Sequence, residues 1–230
     1  MNFAPFSFLN SQASVPTIVT DGLQLYLDAG IISSYPGTGT TWNDISGKGN
    51  NLSLVNGPVW TSSDGGYFTF DGTNDHVSNF LYTTQFSGNN FTYVGVLRYE
   101  NKSNSYHNIF DRFNSLNPML WVNTASKLEA DQSAGFTSAL SYTGQTIQVT
   151  MTHSNTSGEG VKLYVNGSFL GGNTAAQGAI TNNGRFSIYR RETSGNFYKG
   201  RGYNLMMYNK VLSASEVLQN YNALKSRYGI

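Results

Sequence analysis

Between Trp42 and Val77 the chain reads WNDISGKGNNLSLVNGPVWTSSDGGYFTFDGTNDHV, with SGKGN, NG, SDGG and DGTND separating short aromatic and β-branched runs. Glycine supplies the positive φ of a tight turn without a Cβ clash. Asn and Asp tolerate that conformation while bonding their own backbone. Short strands fit between turns spaced this closely, so the pattern predicts an all-β sandwich or barrel.

The rest of the chain is written in the same style. LQLYLDA (23–29) alternates Leu23, Leu25 and Leu27 with Gln24, Tyr26 and Asp28, the signature of a half-buried strand. YFTF, FTYVGVL, NIFDRF, PMLWV, QTIQVTMTH, VKLYV, RFSIYR and YNLMMYN follow, separated by Gly, Asn and Ser clusters at sandwich spacing. Asn166-Gly167 stands between two β runs and predicts a two-residue type I′ hairpin. Only the C-terminal end reads as helix. Ser213 and Glu216 form a capping box, and Leu212 with Val217 a hydrophobic staple. Val217, Tyr221, Leu224 and Tyr228 share one face, and Gly229 is the stop. The prediction is one domain over residues 21–230, preceded by an arm over residues 1–20.

Charged residues make up only 12% of the chain, so its surface must be largely uncharged and polar. A net charge of +1 gives no field to concentrate nucleic acid or an anionic membrane, and neither is an expected partner. The absence of cysteine forbids thiolate metal sites and gives no support for an oxidising compartment. No apolar run is long enough to cross a bilayer. MNFAPFSFLNSQASVPTIVT lacks the basic and continuous apolar regions of a secretory signal, so synthesis in a host cytoplasm without export is the expectation.

Those twenty residues carry no charge, yet they hold Phe3, Phe6 and Phe8, and Pro5 and Pro16 bias them toward extended backbone. One reading is a frayed end or an edge strand of the domain. The other is a docking arm that buries Phe3, Phe6 and Phe8 on a neighbouring subunit or adds a strand to its sheet.

GLQLYLDAG, TWNDISGKGNNLSLVNGP, GGYFTFDGTNDHV, QTIQVTMTHSNTSGEGVKLYVNGSFLGG and YKGRGYNLMMYNKVLSASEVLQNY stand in this order over residues 21–225. Together they resemble the concanavalin A-like lectin/glucanase superfamily. More narrowly, they are similar to its laminin-G-like branch, often carried by tailed-phage and other viral structural proteins. The resemblance implies a two-sheet antiparallel jelly-roll sandwich with its termini close together. It leaves activity open, because lectins, glycosidases, adhesion modules and capsid decorations share this fold.

Retaining glucanases of this fold carry a Glu-x-Asp-x-x-Glu strand, with nucleophile and acid about 5–5.5 Å apart. Of the five glutamates only Glu129, with Asp131, begins that pattern, and Ala134 stands where the second glutamate belongs. His76, His107 and His153 lie in no nucleophile-elbow or zinc motif, and His76 and His153 read as ordinary surface or half-buried residues. The chain is therefore expected not to be an enzyme.

Calcium is the one candidate cofactor, because laminin-G sandwiches often hold it at one rim through hard oxygen ligands. Candidate ligands are Asp44, Asp71, Asn74 and Asp75; the alternative is that they close turns by side-chain to backbone bonds. For a sugar, Tyr106 and Tyr198 are the candidate platforms, since turn residues flank both, whereas Trp42, Trp60 and Trp121 read as core.

The leading expectation is a non-enzymatic virion structural protein, a phage capsid decoration or tail component anchored by its arm. Its partners are then other virion proteins or copies of itself. The alternative is a glycan-binding adhesion module that recognises a cell-surface polysaccharide.

Overall fold

The computed structural model of the chain describes residues 16–81, 90–101, 105–112, 120–130, 136–176, 185–191 and 195–230. In chain order the elements are β1 (Leu23–Asp28), β2 (Thr41–Trp42), β3 (Leu52–Val55), β4 (Val59–Thr61), β5 (Tyr67–Asp71), β6 (His76–Leu81), β7 (Phe91–Tyr99) and β8 (His107–Arg112). They continue with β9 (Leu120–Val122), β10 (Lys127–Ala130), β11 (Phe136–Ser141), β12 (Ile147–His153), β13 (Val161–Val165), β14 (Ser168–Asn173), β15 (Arg185–Ile188), β16 (Lys199–Tyr208) and helix α1 (Ala214–Tyr228).

The strands form two antiparallel sheets. The front sheet runs β14-β13-β12-β7-β16-β5-β4, with β1 beside β5 on the same side of β16. The back sheet runs β11-β10-β9-β8-β15-β6-β3-β2. The predicted jelly-roll sandwich is the observed architecture. The Asn166-Gly167 turn also stands as expected, with φ of 51° and 74° joining β13 to β14.

Aromatic side chains fill the space between the sheets. Phe91, Tyr93, Phe110 and Phe186 form one ring cluster, with Phe110 stacked on Phe186 at 4.9 Å. Each fully buried Phe of this kind contributes about 1.5–3 kcal/mol. Trp42, predicted as core, is fully buried and meets Phe68 edge-on at 4.9 Å.

A second core lies outside the front sheet, beneath α1. Here Val94, Val96, Met206 and Tyr208 meet Leu212, Val217, Leu224 and Tyr228 of the C-terminal segment. β7 is therefore buried on both faces, which is why FTYVGVLRY reads as a nearly continuous apolar run. The same cover corrects the half-buried reading of β1: Gln24 and Asp28 are buried as well as the leucines opposite them.

Helix α1 starts and stops where the sequence predicts. The Ser213–Glu216 capping box is present, and Gly229 ends the helix at φ 66°. Asn220, not Tyr221, completes the buried face. Its Oδ1 accepts from the Val19 amide at 2.8 Å, and its Nδ2 donates to the Tyr208 hydroxyl at 3.1 Å. Gln219 Nε2 donates to the Thr17 carbonyl at 2.9 Å, so the described end of the N-terminal segment lies against the C-terminal helix.

Candidate functional site

Period-two alternation decides what the back sheet shows to solvent. In β9, Leu120 and Val122 join the core while Trp121 between them points outward and is half-buried. In β10, Leu128 and Ala130 point in, and Lys127 and Glu129 point out. The register then sets Asn108 opposite Trp121, Trp121 opposite Glu129, and Glu129 opposite Thr137. Directly paired residues on one face stand about 4.5–5.5 Å apart at Cβ, so these four form a row across β8, β9, β10 and β11.

Hydrogen bonds fix the polar part of this row. Glu129 Oε1 accepts from Asn123 Nδ2 at 2.6 Å and from Thr137 Oγ1 at 3.0 Å. Asn123 Oδ1 accepts from the amides of Ala125 and Lys127 at 2.9 and 3.0 Å, which locks the β9–β10 turn. Tyr106, 44% exposed, precedes β8 two residues ahead of Asn108. Further along the same face Asp111 pairs with Ser187, and Arg191 Nε lies 4.0 Å from the Asp111 carboxylate. Asn108, Asp111 and Ser187 are buried, so the open part of the face offers the Trp121 indole beside the Asn123 amide, the Glu129 carboxylate and the Thr137 hydroxyl. A hydroxyl-bearing ring with one apolar CH face matches that inventory. The Glu129 carboxylate is held by two hydrogen bonds, and Asp131, next in the glucanase-like pattern, lies outside the described residues.

Of the two tyrosines proposed as platforms, Tyr106 is exposed and Tyr198 is not. Tyr198 is fully buried between the sheets, stacked on Tyr189 at 4.6 Å and edge-on to Phe70 at 6.1 Å. Its hydroxyl donates to the Arg201 carbonyl at 3.2 Å, and burial pushes the phenol well above its ordinary range. It is a core residue, and the turn residues around it misled the reading. Trp121 was missed for the opposite reason: the apolar run LWV masks the single outward position of a short strand. Phe3, Phe6 and Phe8, the proposed docking residues, lie outside the described residues. Two histidines also depart from expectation: His76 and His153 are buried, with His153 stacked on Phe91 at 5.0 Å, and His107 is buried as well.

The candidate calcium ligands are occupied by turn chemistry. Asp44 accepts from the amides of Tyr26, Ser46 and Asn50 at 2.9 Å each and from the Ser46 hydroxyl at 2.8 Å. Asp71 Oδ1 accepts from the Thr73 and Asn74 amides at 2.7 and 3.3 Å, and Asp75 Oδ2 accepts from the Asp71 amide at 3.1 Å. Burial alone raises the Asp71 carboxyl, but the amides of Thr73, Asn74 and Asp75 outweigh it and hold the group below its ordinary 3.8. Asn74 gives its carbonyl to Asn56 Nδ2 at 2.9 Å. Among the described residues no three acidic or histidine side chains converge.

A family model of the laminin-G type, from the concanavalin A-like lectin/glucanases superfamily, matches residues 70–218. The chain belongs to that superfamily. Solved structures share the superfamily fold at low identity. Trypanosoma rangeli sialidase in complex with sialic acid superposes with a TM-score of 0.69 at 16% identity, covering 94% of this chain and 34% of the sialidase. The binding domain of paraclostridial mosquitocidal protein 1 superposes with a TM-score of 0.66 at 15% identity, covering 89% of this chain and 52% of that domain. The superfamily member described here thus spans about a third of the sialidase and about half of the toxin domain. No curated protein sequence matches it.

These comparisons overturn the expectation of a virion structural protein. Among the solved neighbours stand sialidases and a toxin binding domain, which at 15–16% identity share the fold of this chain. The superfamily, named for lectins and glucanases, holds binding proteins and enzymes alike.

Proposed function

We propose that the protein is a carbohydrate-binding module without catalytic turnover, recognising a cell-surface glycan on the outer face of the back sheet. The observation that carries this reading is the row Trp121–Glu129–Thr137, set by strand register across β9, β10 and β11. The Trp121 indole stacks on the apolar face of a pyranose ring, and Tyr106 extends the platform. Asn123, Glu129 and Thr137, already bonded to one another, present a pre-oriented edge to the sugar hydroxyls. Pre-orientation lowers the ordering cost of binding, the main penalty at an exposed polar site. Turnover is not part of the proposal, because Glu129 has Ala134 where a second glutamate would supply the acid.

A glycan array probed with the purified protein, followed by calorimetry on the best ligand, tests this. Trp121→Ala is expected to weaken binding at least tenfold and Tyr106→Ala severalfold, with the melting temperature held within a degree or two. The bound glycan is expected to survive prolonged incubation uncleaved. A silent array, or full affinity in Trp121→Ala, would overturn the reading.

A further inference from the structure

A second concave site lies away from the back-sheet face, where the segment after β1, β4 with the turn that follows it, and the end of α1 meet. It is a cleft of about 360 Å³. Small-ligand sites span roughly 300–1,000 Å³. Tyr35, Trp60, Ile32 and Pro36 supply its apolar walls, and Arg227, Ser62 and the Gly65 backbone its polar part.

The walls are held rigid. Trp60 Nε1 donates to the Ala29 carbonyl at 2.9 Å, and Tyr35 lies against the indole at 5.7 Å between ring centres. The Tyr35 hydroxyl donates to the Gly39 carbonyl at 2.9 Å. The floor exists because glycine fills it. A Cβ on Gly30 would stand 1.7 Å from the Gly65 carbonyl oxygen and 2.3 Å from Arg227 Nη2, so any side chain there would break the cleft. Ile32 on the rim is 80% exposed, a large aliphatic side chain left in water beside an aromatic wall.

The charge inside is balanced. Arg227 Nη1 and Nη2 donate to the two carboxylate oxygens of the buried Asp28, and Nη2 also donates to the Gly65 carbonyl at 2.8 Å. A guanidinium cancelled by its own carboxylate offers donors without net positive charge. An anion gains little there and brings its desolvation cost, whereas a neutral ring gains both the aromatic wall and the polar edge.

We propose that this cleft is a second ligand site, for one neutral pyranose residue stacked on Trp60. The protein then holds carbohydrate at two places, independently of whether the back-sheet face is the first. Ring size fits the volume, and hydroxyls on the ring edge meet Ser62 and Arg227 while the CH face meets the indole.

The three tryptophan indole N–H groups give separate cross-peaks in an ¹H–¹⁵N spectrum. Trp42 is fully buried and serves as internal control. Methyl hexopyranosides and the matching hexuronic acids are titrated at millimolar concentration into the wild type and into Trp121→Ala. The Trp60 indole peak is expected to shift with a neutral hexoside in both proteins, and at least threefold more weakly with the uronate. Trp60→Ala, checked for an unchanged fold, is expected to abolish saturation transfer to the sugar in the Trp121→Ala background. Ile32→Glu, at an exposed position that the fold does not use, is expected to weaken binding at least threefold. An unmoved Trp60 peak overturns the site, and tighter binding of the uronate overturns the neutral class. Loss of the shift in Trp121→Ala would assign the effect to the back-sheet face instead.

Discussion

Arg227 Nη1 donates to Asp28 Oδ2 at 2.8 Å, tying the last turn of α1 to the end of β1 across 199 residues of sequence. Asp28 is fully buried, and the hydroxyls of Tyr26 and Tyr228 donate to the same oxygen at 3.0 and 3.2 Å. The Gly30 amide donates to the other oxygen at 3.0 Å. Removing one partner of a buried pair leaves the other charge stranded, at a cost of about 3–5 kcal/mol. Arg227→Met is therefore expected to lower unfolding free energy by about 3 kcal/mol, the smaller end because the Arg227 side chain is 29% exposed. Asp28→Asn in the same background is expected to restore part of it. Urea denaturation of the single and double variants measures both.

Glu216 gives stability a dependence on acid. Lys210 Nζ donates to its carboxylate at 2.7 Å and the Ser213 amide at 2.8 Å, and these hold the carboxyl below its ordinary 4.5, Lys210 contributing most. A group whose folded pKa is depressed stabilises the fold above its unfolded value and loses that contribution as pH falls through the folded value. Glu216→Gln is expected to lower the melting temperature at neutral pH. It should also flatten the decline below pH 4.5, seen by comparing thermal melts of both proteins through the acid range.

The β13–β14 turn tolerates little change. Gly167 sits at φ 74°, and a Cβ there would lie 3.1 Å from Leu218 Cδ1 and Tyr221 Cβ on α1. The left-handed conformation alone costs an L-residue about 1–2 kcal/mol. Gly167→Val is expected to lose at least that much in a denaturant titration. Asn166→Gly, which keeps the φ of 51° accessible, is expected to stay within about 0.5 kcal/mol of the wild type.

Asp44 closes its loop by four hydrogen bonds, one of them to the amide of Tyr26 in β1. Asp44→Ala strands those donors, for a loss of about 1–3 kcal/mol. Because the oxygens are already spent on donors, a chelator is expected to leave the melting temperature of the wild type unchanged. A rise on adding calcium would contradict the turn assignment.

Local chemistry made the scaffold readable. The Asn166-Gly167 turn, the Ser213–Glu216 cap and the buried Trp42 each depend on a few neighbouring residues, and each stands as expected. The site was harder to read because burial is decided by what crosses from elsewhere. Tyr198 lies among turn residues yet is enclosed by Tyr189 and Phe70, distant in sequence. Trp60 sits in an apolar context and still lines an open cleft, whose floor is the close approach of Gly30 to Gly65 from a distant loop. For Trp121 the signal was present. Strict alternation through Leu120 and Val122 places it outward, and only the uniform hydrophobicity of the run hid that.

β16, the strand between β7 on one side and β5 and β1 on the other, begins at residue 199. On a ribosome all three neighbours emerge long before it does. They wait with open edges, the state in which strands most readily pair with the wrong chain. The front sheet cannot close before β16 has emerged, and α1, which covers its outer face, emerges after it. A slow stretch of translation just before residue 199 would lengthen that exposure, so yield in cells should depend on the speed at which the last strand arrives.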